Sequence, residues 1–264
     1  MKETQALRFV HISDTHIGTT PDFRLYGVQT FQLLKRLISA INQIPTRPDF
    51  IIHTGDVVAN PDPEAYRLAA GLFNELKCPV YFVAGNHDSA RDIRTMLLIG
   101  PKEDFGDENR LVYRMVLKGQ HIIVLDPCKP GVLDPRGELP ESQLEMLRRE
   151  VRTGEIPLTI FIHFPPVYLD SLWRDREMRL LNGEALHKVL LPARDRLRGV
   201  FFGHMHRGIQ VLKDGILYSG VGSTCCQFTA WPNDQKAGYE PDLPACFNYV
   251  TLLPDQTIVK EHAV

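Results

Sequence analysis

No stretch of the chain approaches the roughly 18 consecutive apolar residues of a membrane-spanning helix, so a membrane-embedded fold of that kind is not expected. Neither sign of charge is in excess. The 30 Lys and Arg nearly balance the 32 Asp and Glu, a formal charge of −2, which leaves no electrostatic footprint for tight nucleic-acid or membrane binding. Cysteine is scarce: the five residues Cys78, Cys128, Cys225, Cys226 and Cys246 are odd in number and lack zinc-finger spacing. That disfavours a disulfide scaffold and suits reduced thiols in the cytoplasm, the expected compartment. The opening MKETQALRFVHISD has no leader-length apolar run, because Arg8 and His11 interrupt it. Repeats, low-complexity tracts and convincing linkers are also missing, so residues 1–264 are expected to form one domain.

What is present is an alternation of short apolar runs with amphipathic segments. LRFVHIS (7–13), DFIIHTG (49–55), VYFVAG (80–85), HIIVLD (121–126), LTIFIHF (158–164) and GVFFGH (199–204) read as strands buried on both faces. Leu25, Val28, Phe31, Leu34, Leu37, Ile38 and Ile41 fall at helical spacing, as do Ala65, Leu68, Ala69, Leu72, Phe73 and Leu76. Pro140 suits a first helical turn, and Asn182 a helix cap. Beyond Gly203 the pattern becomes hairpins, one about Asp214-Gly215 and another about Pro254-Asp255. The fold class is therefore α/β, with later strands antiparallel. Residues 224–244 read as a long functional loop.

Polar residues gather where these strands end. The first run ends in SDTH with Asp14 and His16, the second in TGD with Asp56, and the third in GNHD with Asn86, His87 and Asp88. Later runs end in His163 and in GHMH, with His204 and His206. All lie at the carboxyl edge, where open α/β sheets build their sites. Singly, each is an ordinary cap or packed side chain. Together, carboxylate, imidazole and amide oxygen make a mixed O/N donor set for Mn, Fe, Co, Ni or Zn, and the lack of thiolate disfavours a structural zinc site.

DTH, GD, GNHD, a lone His after a strand and GHMH, in that order, resemble the five signature blocks of the calcineurin-like metallophosphoesterases. The resemblance spans residues 14 to 206. It implies a four-layer αββα sandwich of two mixed sheets flanked by helices, with a dinuclear metal site at the strand ends. By position, Asp14, His16 and His206 would bind one ion, Asn86, His163 and His204 the second, and Asp56 both. The ions would be divalent or mixed-valence Mn, Fe or Zn. A hydroxide bridging them would attack a phosphoester in line, with His87 neutralising phosphoryl charge and protonating the leaving alkoxide. Asp88 would orient His87 or a ligand, or cap its own turn.

Within that family, the HFPP and GELPESQLEML segments look most like class III cyclic-nucleotide phosphodiesterases and related glycerophosphodiesterases. Many of these carry a second His where Phe164 stands here. The expected activity is hydrolysis of small phosphodiesters, 3',5'-cyclic AMP being the leading substrate. Glycerophosphodiester or broad phosphomonoester hydrolysis are the alternatives within enzymes, and a nuclease or non-catalytic scaffold the more remote ones. Such relatives suggest a homodimer; neither a stable nucleic-acid partner nor a membrane is expected. The loop after His163 and residues 224–244, with Trp173 and Trp231, would bound the substrate pocket. His11 and His53 read as packed side chains, and Arg174, Arg176 and Arg179 as a solvated helical face in preference to a lid recognising phosphate or base.

Overall fold

The computed structural model describes residues 6–105 and 107–264; residues 1–5 of the segment read for a leader lie outside that range. A five-stranded sheet has Leu7–Ile12 at its centre, parallel to Phe50–His53 and then Val80–Phe82 on one side. On the other side Cys246–Leu252 and Thr257–Ala263 run antiparallel. A seven-stranded sheet takes the order Gln210–Lys213, Ile216–Gly220, Leu197–Phe202, Leu158–Phe161, Gln120–Val124, Tyr113–Leu117, Glu103–Asp104, with a parallel middle and antiparallel edges.

The period of two in a β-strand sends alternate side chains to opposite faces, and that alternation builds the layers. Along Leu158–Phe161 and into His163, Phe161 enters one core while Leu158, Ile160 and Ile162 enter another. Phe161 and Phe201 of the larger sheet meet Phe9 of the smaller one edge-on, at 5.4 and 5.2 Å between ring centroids, and Phe50 stacks on Phe9 at 5.1 Å. These rings are the inter-sheet core. Helices Thr30–Asn42 and Pro63–Phe73 share a core with the smaller sheet; Glu141–Thr153 and Gly183–Leu190 cover the larger one. The result is the αββα arrangement.

Local readings differ in three places. Leu25 and Val28 are not helical: they pair in a hairpin, Arg24–Leu25 with Val28–Gln29, and the helix starts at Thr30. Tyr113–Leu117 forms a hairpin with Gln120–Val124 about Lys118-Gly119, although its apolar run LVYRMVL is not among the strands read from the sequence. Asn182 does precede a helix, but its amide bonds the N–H and carbonyl of Leu139 rather than capping that helix. Among the described residues no helix is long and apolar enough to cross a membrane.

Candidate metal centre

The strands deliver their last residues to one edge shared by both sheets. Asp14 and His16 follow Leu7–Ile12, Asp56 follows Phe50–His53, and Asn86 and His87 follow Val80–Phe82. From the larger sheet come His163, after Leu158–Phe161, and His204 and His206, after Leu197–Phe202. All seven candidate ligands are buried or at the limit of burial. Five of them, Asp14, His16, Asp56, His204 and His206, have φ between 44° and 67°. A side chain in this left-handed region costs roughly 1–2 kcal/mol, and so many together mark a site where the surrounding fold enforces the geometry.

Two glycines make the close approach possible. A Cβ on Gly203 would lie 1.9 Å from Ser13 Oγ and 3.0 Å from Asp14 Oδ2, and one on Gly85 2.2 Å from Asp56 Oδ1. Gly203 is thus required for space; its φ is not among the positive ones.

The polar atoms form two groups. Asp14, His16 and His206 offer ligand atoms mutually within 4.8 Å, and so do Asp56, His163 and His204. In the first, His206 Nε2 is 3.4 Å from Asp14 Oδ1 and 3.1 Å from His16 Nε2. In the second, His163 Nε2 is 3.4 Å from Asp56 Oδ2 and 3.2 Å from Asn86 Oδ1. Asp56 Oδ2 is also 3.7 Å from His16 Nε2, which sets it between the groups.

Atoms facing away from the clusters are held by the backbone. The His204 N–H donates to Asp14 Oδ2 and the His87 N–H to Asp56 Oδ1. Asp14 Oδ1 is left buried without a hydrogen-bond partner. Backbone carbonyls engage one ring nitrogen of each of three imidazoles: Thr54 O for His163 Nδ1, Pro135 O for His204 Nε2 and Cys226 O for His206 Nδ1. Such bonds fix the tautomer and turn the bare nitrogen toward a metal. Oriented imidazoles, carboxylates with one free oxygen and an orphaned buried oxygen fit transition-metal ions at both clusters.

Charge in the clusters points the same way. Burial lowers His16 and His204 to about 3. It works against His163 and His206 too, but Asp56 and Asp14 prevail and hold them up at about 9 and about 10. Both carboxyls resist their own desolvation and lie below the usual carboxylate range because of those imidazoles. Positive charge is therefore favoured at both clusters, and protons or metal ions can supply it.

His87 sits beside the clusters, its ring edge-on to His16 at 4.9 Å. Nδ1 is 2.7 Å from Ala59 O, to which it donates, leaving Nε2 free. The ring is also near enough to His16 and Asp56 to share an ion with them. Asp88 does not orient His87. Its carboxylate accepts N–H bonds from Val57, Val58 and Gly85, tying the Asp56 and Asn86 loops together. Burial and the Asp56 charge push it up to about 7 against those donors.

A cavity of about 330 Å³ opens onto this edge, lined by His16, Asp56, Asn86, His87, His204 and His206 and walled by Phe23, Leu25, Tyr26, Met178 and Phe228. Both expected loops contribute, through Met178 and Phe228, but neither tryptophan does. Trp173 is buried against Arg174, and Trp231 is 66% exposed and outside the lining. Phe164 is buried edge-on to His204 at 4.7 Å and supports this candidate ligand from behind. The Arg24–Gln29 hairpin escaped the sequence reading; its signal was a residue-glycine pair, Tyr26-Gly27, between short alternating segments. Arg174 was misread: it is fully buried and donates to Met205 O and Thr229 O.

The chain is similar in sequence to bacterial cyclic-nucleotide phosphodiesterases and in fold to a plant acid phosphatase. Over 227 residues the chain is 29% identical to the 3',5'-cyclic adenosine monophosphate phosphodiesterase CpdA of Pseudomonas aeruginosa, covering 85% of this chain and 79% of that one. Over 224 residues it is 34% identical to the cAMP/cGMP dual specificity phosphodiesterase MT0825 of Mycobacterium tuberculosis (strain CDC 1551 / Oshkosh), covering 82% and 67%. The fold is similar to that of purple acid phosphatase PPD1 from yellow lupin (Lupinus luteus), with a TM-score of 0.69 at 12% identity. That match covers 98% of this chain but only 52% of the lupin protein, about half its length. The family model for calcineurin-like phosphoesterases matches residues 7–208, from the first strand of the smaller sheet to just past His206, and with all five motif blocks inside that span the chain belongs to the calcineurin-like phosphoesterase family.

Proposed function

We propose that residues 1–264 act as one metallophosphoesterase domain hydrolysing small phosphodiesters, with 3',5'-cyclic AMP as the preferred substrate. Asp14, His16 and His206 would hold one ion, Asn86, His163 and His204 the other, and Asp56 would be shared between them. The observation that carries this reading is the position of Asp56 Oδ2, 3.7 Å from a nitrogen of the first cluster and 3.4 Å from one of the second. The ions, Mn, Fe or Zn, supply Lewis-acid stabilisation of the phosphoryl oxygens and a nucleophile at neutral pH.

The chain's own residues do the rest. Asp56 and Asp14 balance the cationic charge, and the carbonyls of Thr54, Pro135 and Cys226 keep the imidazoles aimed. His87, its Nδ1 proton committed to Ala59 O, points Nε2 at the leaving oxygen and gives up a proton from it when the ring is the doubly protonated imidazolium. Preference for a cyclic nucleotide over a glycerophosphodiester or a monoester is supported by the activities named for the two bacterial relatives. The test is metal-free protein reloaded with Mn, Fe, Co or Zn and assayed on cyclic nucleotides, glycerophosphodiesters, and mono- and bis-nitrophenyl phosphates. Metal-restored hydrolysis led by cyclic AMP is expected. Protein that takes up two ions yet cleaves no diester would end the reading.

A further inference from the structure

The Arg24–Gln29 hairpin is too short to stabilise itself, with two residue pairs and a two-residue turn. Among the described residues, three such two-residue turns carry a non-glycine residue followed by glycine, both at positive φ: Tyr26-Gly27, Lys118-Gly119 and Asp214-Gly215. Asp is common at the first position of this turn and the charge of Lys suits a solvated tip. Tyrosine is not, since a bulky residue at φ 48° is an outlier.

Its ring is held by the site. Tyr26 packs edge-on against Phe228 at 5.4 Å and tilted against Tyr239 at 5.4 Å, while Phe228 stacks on His206 at 4.6 Å. Behind them, Cys225, Cys226 and Phe228 form a small apolar cluster with Leu25 and Tyr239. Tyr26 nevertheless stays 53% exposed at the wall of the cavity above the candidate ligands. An aromatic face is thus kept open in a strained turn, continuous through Phe228 with a candidate ligand.

We propose that Tyr26, backed by Phe228, is a stacking subsite for the planar base of a nucleotide whose phosphate lies at the metal edge. The inference rests on the phosphodiesterase reading and narrows it, because a glycerol or aliphatic alcohol has no π-face for this wall. The other cavity at the edge, about 400 Å³, shares Asn60 and Asn86 with the first. Its lining mixes charged groups, Asp88, Arg91, Asp92 and Lys129, with apolar ones such as Val132 and Leu133, and presents no aromatic ring. It offers a base no ring to stack on, whereas the first cavity has Tyr26 and Phe228, so the base belongs on the Tyr26 side. Stacking is tolerant of base identity, so this subsite selects nucleotides over other diesters without selecting adenine over guanine.

The experiment measures equilibrium binding of adenosine 5'-monophosphate and ribose 5-phosphate to the metal-loaded protein by calorimetry. The two ligands share sugar and phosphate and differ by the base. Wild type should bind the nucleotide on the order of 5- to 150-fold more tightly. Tyr26→Ala should remove most of that ratio and leave ribose 5-phosphate affinity unchanged; Tyr26→Phe should keep the ratio. Equal affinity of wild type for both ligands, an unchanged ratio in Tyr26→Ala, or equal weakening of both ligands in that variant would each overturn the subsite. Failure of the phosphodiesterase reading appears separately, as wild type that hydrolyses no diester in the substrate panel.

Discussion

Asp56 divides its two oxygens between backbone and site: Oδ1 accepts the His87 N–H, and Oδ2 lies between His16 and His163. Asp56→Ala should abolish binding of the ion pair and nearly all hydrolysis, with elemental analysis of folded protein as the check. Two ions retained per chain would remove Asp56 from the bridge. Asn86 offers a neutral oxygen, so Asn86→Ala should be milder and partly rescued by added metal. His87 differs in kind. In its proposed role as proton donor it would matter most for a basic leaving group, and His87→Ala should cost on the order of 10²–10⁴ in rate on cyclic AMP. The loss should be distinctly smaller on bis-nitrophenyl phosphate, with both ions still bound. An equal loss on both substrates would confine His87 to charge stabilisation, and loss of an ion would make it a ligand with His16 and Asp56. The motif residues were legible in the chain because each stands at the end of an apolar run. Their second bonds were not, since the carbonyls of Ala59, Pro135 and Cys226 carry no residue signature.

At the scale of elements, the loops around the site are joined by Arg174 on the short helix Leu172–Glu177. Its guanidinium donates to Met205 O, between His204 and His206, and to Thr229 O just past Phe228, and its side chain packs on Trp173. Arg174→Met preserves bulk but orphans both carbonyls, which costs ~1–3 kcal/mol for each buried polar group left unpaired. A lower denaturation midpoint and weaker metal retention are expected, since the GHMH turn loses its anchor. Unchanged metal content would mean that Arg174 supports only the surrounding loops. A charge run in sequence looks alike whether solvated or buried, and the direction of this one follows from where Leu172–Glu177 docks. The same limit explains Leu25 and Val28. Helical spacing continued past the true start at Thr30, and the turn at Tyr26-Gly27 took precedence over it.

For the whole molecule, the candidate metal edge exists only while the two sheets stay face to face. Asp14, His16, Asp56 and Asn86 come from the smaller sheet, and His163, His204 and His206 from the larger. Phe9 lies at the centre of that contact, touching Phe50, Phe161 and Phe201. Phe9→Ala should destabilise the protein by ~3–5 kcal/mol, read from denaturant unfolding, and should lower metal affinity because the two ligand sets lose their common register. A loss below ~1 kcal/mol would show that the inter-sheet core does not depend on this ring.

Local pattern determined what local physics controls. Alternating side chains marked most strands, amphipathic spacing marked the helices, and polar residues at strand ends marked a mixed O/N site in the order shared by one family. The tertiary structure decided which of those residues meet. Asp14 and His204 are 190 positions apart, yet the His204 N–H bonds the Asp14 carboxylate. The partner carbonyls, the burial of Arg174 and the placement of Tyr26 over the site have the same origin. Each is a contact between distant segments, set by how two sheets twist and pack, and neither residue of such a pair carries a local signal of the other.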